Sequence, residues 1–196
     1  MIGRLSGTLL EKNPPALLVD VNGVGYDVEV PMSTYYELPA VGKTVQLLTH
    51  FVVREDAQLL FGFATAAERA TFRALLKVNG VGAKVALSIL SGLSTNEFFA
   101  YVAAKDTTAL TKVPGIGKKT AERLIVELQD KVDTLTVALP ASGAAANTSS
   151  AKAQAEEALL ALGYKAAEAK RLIEKNTTDD QSVEEMIRAA LRSIRL

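Results

Sequence analysis

Apolar and polar positions change period along this chain. Through residue 63 the pattern is that of short strands. Tyr26-Asp27-Val28-Glu29-Val30 alternates strictly, as a half-buried strand does. Ile2–Lys12, Ala16–Val21, Thr44–Val53 and Ala57–Phe63 are further β-rich runs, separated by turn residues. Asn13-Pro14-Pro15 marks one turn, and Asn22-Gly23-Val24-Gly25 is a strong hairpin signal. Pro31 ends the third run, and Ser33–Leu38 reads as a short helix. Five short strands, with a small helix before the last two, predict a small closed β-barrel of the oligonucleotide-binding (OB) type.

From residue 64 the period becomes helical. Apolar spacing and glycine breaks predict helices near 66–77, 83–91, 95–104, 107–112 and 118–131. Thr65 with Glu68, Ser94 with Glu97, and Ser182 with Glu185 each have the spacing of a capping box. Residues 136–151 lose all periodicity and are rich in Ala, Ser, Thr, Gly and Asn, so they read as a linker. Residues 152–196 predict three short helices, the first closed by Gly163 as a C′ glycine. The expected fold is therefore mixed α and β in several domains. A barrel spans 1–63, an all-α domain 64–135, a linker 136–151 and a three-helix bundle 152–196.

The helical middle contains an internal repeat. Val78-Asn79-Gly80-Val81-Gly82-Ala83-Lys84 aligns with Val113-Pro114-Gly115-Ile116-Gly117-Lys118-Lys119 at an offset of 35. Each copy is a helix end, then Gly-apolar-Gly, then a new helix with lysine in its first turn. Glycine permits positive φ and lets backbone approach a ligand closely. A helix N-terminus offers free N–H groups and the positive end of its dipole, which suits an anion. Lys84, Lys118 and Lys119 oppose that dipole, so helix stability does not account for them. A phosphate held between dipole and ammonium groups does. Val81 and Ile116 are expected to plug the core beneath each bend. One such turn is an ordinary helix–turn–helix glycine; two in register form the helix-hairpin-helix pattern, which binds phosphates and ignores base edges.

Composition sharpens this reading. Net charge is zero, which by itself says little for nucleic acid. Residues 1–63 hold 4 basic and 7 acidic side chains, net −3, and residues 64–131 hold 10 and 6, net +4. Residues 132–196 hold 8 and 9, net −1, so the basic segment is the one that carries the repeat. There is no cysteine, which excludes disulfides and Cys-based zinc sites. Met1–Gly7 has no apolar export signal, and a cytoplasmic protein is expected.

Other chemistries fit less well. Gly42-Lys43-Thr44 imitates the end of a P-loop, but Glu37 stands where that motif needs its first glycine. His50 is the only histidine, set in an apolar strand, and reads as a packed or hydrogen-bonded residue. A helix-hairpin-helix glycosylase would need a catalytic group beyond the second bend, where the chain instead runs directly into a helix. A metal nuclease would need clustered carboxylates, and Glu55-Asp56 is one adjacent pair. A single-strand binder would use the barrel aromatics Tyr26, Tyr35, Tyr36, Phe51, Phe61 and Phe63, against the barrel's negative charge. No cofactor, metal or catalytic residue is expected.

Over its whole length the chain resembles the RuvA family of Holliday junction-binding subunits. The resemblance rests on Met1-Ile2-Gly3-Arg4-Leu5-Ser6-Gly7, Asn22-Gly23-Val24-Gly25-Tyr26, and Arg54-Glu55-Asp56 followed by Leu60-Phe61-Gly62-Phe63. The tandem repeat and Ala158-Leu159-Leu160-Ala161-Leu162-Gly163-Tyr164 complete it. It implies a bacterial, non-catalytic protein of recombinational repair and the SOS response, assembled as a homotetramer, or two tetramers face to face, on a four-way DNA junction. The RuvB ATPase hexamer and the RuvC endonuclease are its implied partners, and the last bundle is implied to be UBA-like. Gly80, Gly82, Lys84, Gly115, Gly117, Lys118 and Lys119 become the implied phosphate-binding set, with Arg123 and Arg54 as helpers. Glu55 and Asp56 become an acidic pin at the junction centre. Leu159, Leu162, Tyr164, Leu172 and Ile187 become the apolar set that docks RuvB, drawn from a mixture of core and interface that also includes Ile173, Met186 and Leu191.

Overall fold

The computed structural model describes residues 1–129, 151–176 and 181–193. Residues 136–150 of the stretch read as a linker lie outside the described residues, as do 130–135. Its last residue, Ala151, already belongs to a helix. The chain divides into two compact units, Met1–Pro140 and Ala141–Leu196.

The first unit opens with β1 (Arg4–Asn13), β2 (Ala16–Val21) and β3 (Val24–Glu29). Then come α1 (Met32–Glu37), β4 (Thr44–Val53) and β5 (Gln58–Phe63). The strands close in the order β1-β2-β3-β5-β4, with β3 and β5 parallel and every other pair antiparallel. The β2–β3 turn puts Asn22 at φ 51° and Gly23 at φ 88°. That pair of positive angles suits the Asn-Gly dipeptide of a tight hairpin. Leu5, Leu9, Leu17, Val19, Val28, Val45, Leu47 and Leu60 fill the barrel.

The helical part holds α2 (Ala66–Leu75), α3 (Ala83–Gly92), α4 (Thr95–Ala103), α5 (Thr107–Thr111) and α6 (Lys118–Leu128). Its core takes two residues from the barrel. Phe61 and Phe63 on β5 point outward and pack on Phe72 of α2, with ring centroids 5.0 and 4.9 Å apart. They are 1% and 0% exposed, so these two of the six barrel aromatics that a single-strand binder would use for stacking are spent on packing here. Barrel and helices thus share one apolar seam.

Polar contacts then fix how the two parts meet. Glu68 is 8% exposed, and its carboxylate accepts from Ser33 Oγ and Thr34 Oγ1 of α1, from the amides of Ala64 and Thr65, and from Thr65 Oγ1. The Met32 amide donates to Ser91 Oγ of α3 at 2.9 Å. On the other flank of α2, Arg69 donates to the Gly3 carbonyl at 2.9 Å and Arg73 Nε donates to His50 Nδ1 at 3.3 Å.

His50 is therefore a packed, hydrogen-bonded side chain. Burial lowers its pKa below 6.5, and the neighbouring Arg73 and Arg69 lower it further. The unfolded ring takes a proton near pH 6.5 while the folded ring resists it. Stability is thus complete above that pH and falls as pH drops toward the depressed folded pKa. Thermal melts between pH 5 and 8 should show this slope, and His50→Gln should flatten it; an unchanged slope in the variant would refute the assignment.

Gly42 lies at φ 85° and Thr44 opens β4, so Gly42-Lys43-Thr44 leads into a strand, unlike a P-loop. Among the described residues no single helix is long and apolar enough to cross a membrane. The apolar stretches of α3 and α4, bent by 99°, line the helical core.

The second unit comprises α7 (Ala151–Ala161), α8 (Ala166–Asn176) and α9 (Val183–Ser193). Gly163 at φ 96° ends the first, with Tyr164 N–H on the Leu159 carbonyl and Gly163 N–H on that of Leu160. This is the Schellman pattern, which needs a residue in the left-handed region. Ser182 and Glu185 cap α9 reciprocally.

Candidate nucleic-acid interface

The two bends are near-copies in three dimensions. Gly80 and Gly115 adopt φ 86° and 89°. Val81 N–H bonds the Val78 carbonyl and Ile116 N–H bonds that of Val113, both at 3.1 Å. Val81 and Ile116 are each 6% exposed and sit in the helical core, where they anchor the bends. Gly82 and Gly117 are the N-caps of α3 and α6, at φ −90° and −86°.

These two glycines do different work from the first pair. Their φ values are open to any residue, and a Cβ on either would meet nothing within 4 Å. Neither backbone strain nor internal packing requires glycine there. The neighbouring helices make the contrast clear: α2, α4 and α5 are capped by the side chains of Thr65, Ser94 and Asp106. Only α3 and α6, among α2 to α6, have no side-chain cap. Their first-turn N–H groups are left open at bare backbone, and Lys84, Lys118 and Lys119 stand exposed beside them. Among the described residues no ion pair occupies these lysines.

The bends lie side by side. Arg123, on α6, donates to the Asn79 carbonyl in the first bend at 3.5 Å. Gly115, in the second bend, faces Val85 of α3, whose Cγ2 would lie 3.7 Å from an added Cβ. Each bend thus packs against the helix launched by the other. Arg54 lines a cavity of about 290 Å³ with Gly82, Ala83 and Lys84, so it too belongs near the first bend. Arg54-Glu55-Asp56 forms the β4–β5 tip, closed by Arg54 N–H on the Ala57 carbonyl at 2.8 Å, with all three side chains exposed.

Comparison with known proteins agrees with this arrangement. The RuvA N terminal domain model matches residues 1–62. The SAM-like helix-hairpin-helix tandem matches residues 72–130, and the RuvA C-terminal domain model matches 150–195. A protein of Leptothrix cholodnii is 58% identical over 194 residues, covering 99% of each chain. Proteins of Pseudomonas paraeruginosa and Vibrio parahaemolyticus are 54% and 50% identical, covering 99% of this chain and 100% of theirs. All three bear the name Holliday junction branch migration complex subunit RuvA.

The chain belongs to the RuvA family. None of the matched models, two RuvA domains and one helix-hairpin-helix tandem, describes a catalytic domain. Within the RuvA C-terminal region, the structure divides the apolar residues that sequence left mixed. Leu159 and Leu172 are 0% and 8% exposed and lie in the bundle core with Ile173 and Met186. That corrects their assignment to a docking face, because a core side chain offers no surface to a partner. Tyr164 and Ile187 are partly buried against the same core, as is Leu191. Leu162 is 61% exposed. Leu160, which sequence reasoning missed, is 45% exposed. The signal was available in principle: an apolar residue out of phase with the buried Ala155 and Leu159.

Proposed function

We propose that this chain is the non-catalytic subunit that grips a four-way DNA junction for branch migration. The observation that carries this reading is the pair of uncapped helix N-termini, α3 and α6, presented side by side at bare glycine with lysines in the first turn. Each bend donates backbone N–H groups to a phosphate, and Lys84 or Lys118 and Lys119 neutralise it. Gly80 and Gly115 supply the positive φ that the turn requires, and Arg123 and Arg54 extend the first phosphate site. No side chain in this set reads a base edge, so binding is independent of sequence and sensitive to salt.

Four copies around a fourfold axis match the four arms of the junction. The exposed carboxylates of Glu55 and Asp56 sit at the crossover, where they repel phosphates and keep strands from docking too tightly. The segment 136–150 tethers the last bundle, whose exposed Leu160 and Leu162 form an apolar edge for the RuvB ATPase, with Tyr164 and Ile187 at its margin. RuvC joins the same assembly, and the protein works in the cytoplasm.

Lys118→Ala with Lys119→Ala should weaken binding to junctions of different sequence equally. It should also lower the slope of log K against log salt by about 2, roughly 0.9 per lost phosphate contact. A slope equal to that of the parent protein would exclude these lysines from the interface. Deleting residues 152–196 should leave junction binding intact and abolish RuvB-driven branch migration. Migration at the parental rate would show that the bundle has no docking role.

A further inference from the structure

We propose that the cavity between the β4–β5 tip and the first bend receives one unpaired nucleotide from a strand leaving its duplex. The inference rests on the junction-binding reading and adds to it a site for a base. OB-type barrels take oligonucleotides at the end formed by the β1–β2 and β4–β5 loops and the β2–β3 face. Here that end is not open. Arg54 of the β4–β5 connection, Glu29 at the end of β3, and Leu59 and Phe61 of β5 enclose about 290 Å³ against Gly82 and Lys84 of α3. A second cavity of about 510 Å³ meets it at Glu29 and Lys84 and continues past Pro15 of the β1–β2 connection to Pro114 of the second bend. Residues of both connections, Pro15 and Arg54, thus line two neighbouring cavities that share Glu29 and Lys84.

The chemistry of the smaller cavity suits a nucleotide and little else on a DNA path. Its volume lies at the low end of small-molecule sites, about 300–1,000 Å³, so it holds one base and excludes a duplex. Arg54 and Lys84 place cations at its mouth for the phosphodiester. Leu59, partly exposed, gives an apolar surface for the base. Glu29, partly buried, forms no ion pair within 4 Å with either cation among the described residues. Its carboxylate accepts hydrogen bonds and does not donate. It can therefore accept from the exocyclic amino group of cytosine, adenine or guanine. Net charge around the cavity is close to balanced, which suits one nucleotide rather than a continuous strand.

The test uses the full chain and two synthetic four-way junctions, one fully paired and one with a single unpaired cytosine in each strand at the crossover. The junction with unpaired cytosines should bind about tenfold more tightly, the worth of one hydrogen bond and a sheltered base face. Glu29→Ala, which removes the acceptor, should lose most of that tenfold preference, read as the ratio of the variant's own affinities for the two junctions. As a second measurement, 2-aminopurine at the unpaired position should brighten on binding, because it leaves a stack for an aliphatic surface. Equal affinity for the two junctions, a preference that survives Glu29→Ala, or unchanged 2-aminopurine emission would each overturn the nucleotide site alone. Failure of the parent protein to bind either junction would overturn the junction-binding reading and this site with it.

Discussion

Gly82→Asp combined with Gly117→Asp should make the protein more stable and nearly abolish its binding to DNA. Both positions are N-caps without a side-chain cap, at φ and ψ that aspartate adopts freely, with no atom within 4 Å of an added Cβ. A carboxylate there accepts from the first-turn amides and meets the positive end of the dipole. That stabilises each helix by a few tenths to about 1 kcal/mol. The same carboxylate occupies the amides that a phosphate would use, and repels it. Losing charge-assisted hydrogen bonds at two sites costs about 3–6 kcal/mol of binding, a loss of more than a hundredfold. Thermal melts and junction titrations on one preparation check both halves. A variant that melts higher and still binds as tightly as the parent would show that the amides at these bends do not touch DNA. Opposite signs are the useful feature, since general damage to the fold lowers both quantities together.

Glu68→Ala should produce the largest loss of stability among single substitutions outside the apolar core. The carboxylate takes hydrogen bonds from two α1 hydroxyls, two backbone amides and Thr65 Oγ1, and it is almost fully buried. Its removal strands several donors at once, each costing about 1–3 kcal/mol where water cannot reach it. A net cost of about 3 kcal/mol or more corresponds to a melting midpoint roughly 10 °C lower for a unit of this size. Glu68→Gln should fall between, since one oxygen still accepts. Urea denaturation with both variants provides the measurement. A loss below about 1 kcal/mol, the size expected for an ordinary helix cap alone, would reduce Glu68 to the local role its spacing from Thr65 suggests.

Glu68 also illustrates where sequence stops being informative. Thr65 and Glu68 are three residues apart, and that spacing announces a capping box whatever the rest of the chain does. Ser33 and Thr34 are more than thirty residues away, and no local pattern announces that their hydroxyls will close on the same carboxylate. Phe61 and Phe63 behave similarly. Their strand was legible, but a strand's two faces are equivalent until something packs on one of them. Phe72 decides that these rings leave the barrel for the helical core. Arg54 was assigned to DNA by resemblance, and only the fold placed it at the cavity shared with Gly82 and Lys84. Leu159 and Leu162 share a helix end and a chemistry, yet one is fully buried and the other largely exposed.

The sequence by itself determined the local features: the strand and helix periods, the Asn22-Gly23 turn, three capping boxes, the Gly163 terminator and the duplicated Gly-apolar-Gly bends. Each depends on residues within about one helical turn, where backbone stereochemistry and side-chain reach leave few alternatives. Tertiary structure alone decided that the two bends stand side by side, that α3 and α6 keep their first-turn amides uncapped and open, and that a cavity lies between the tip and the first bend. Those facts come from residues far apart in the chain, brought together because burying their apolar faces in one core outweighs the cost of closing the loops between them.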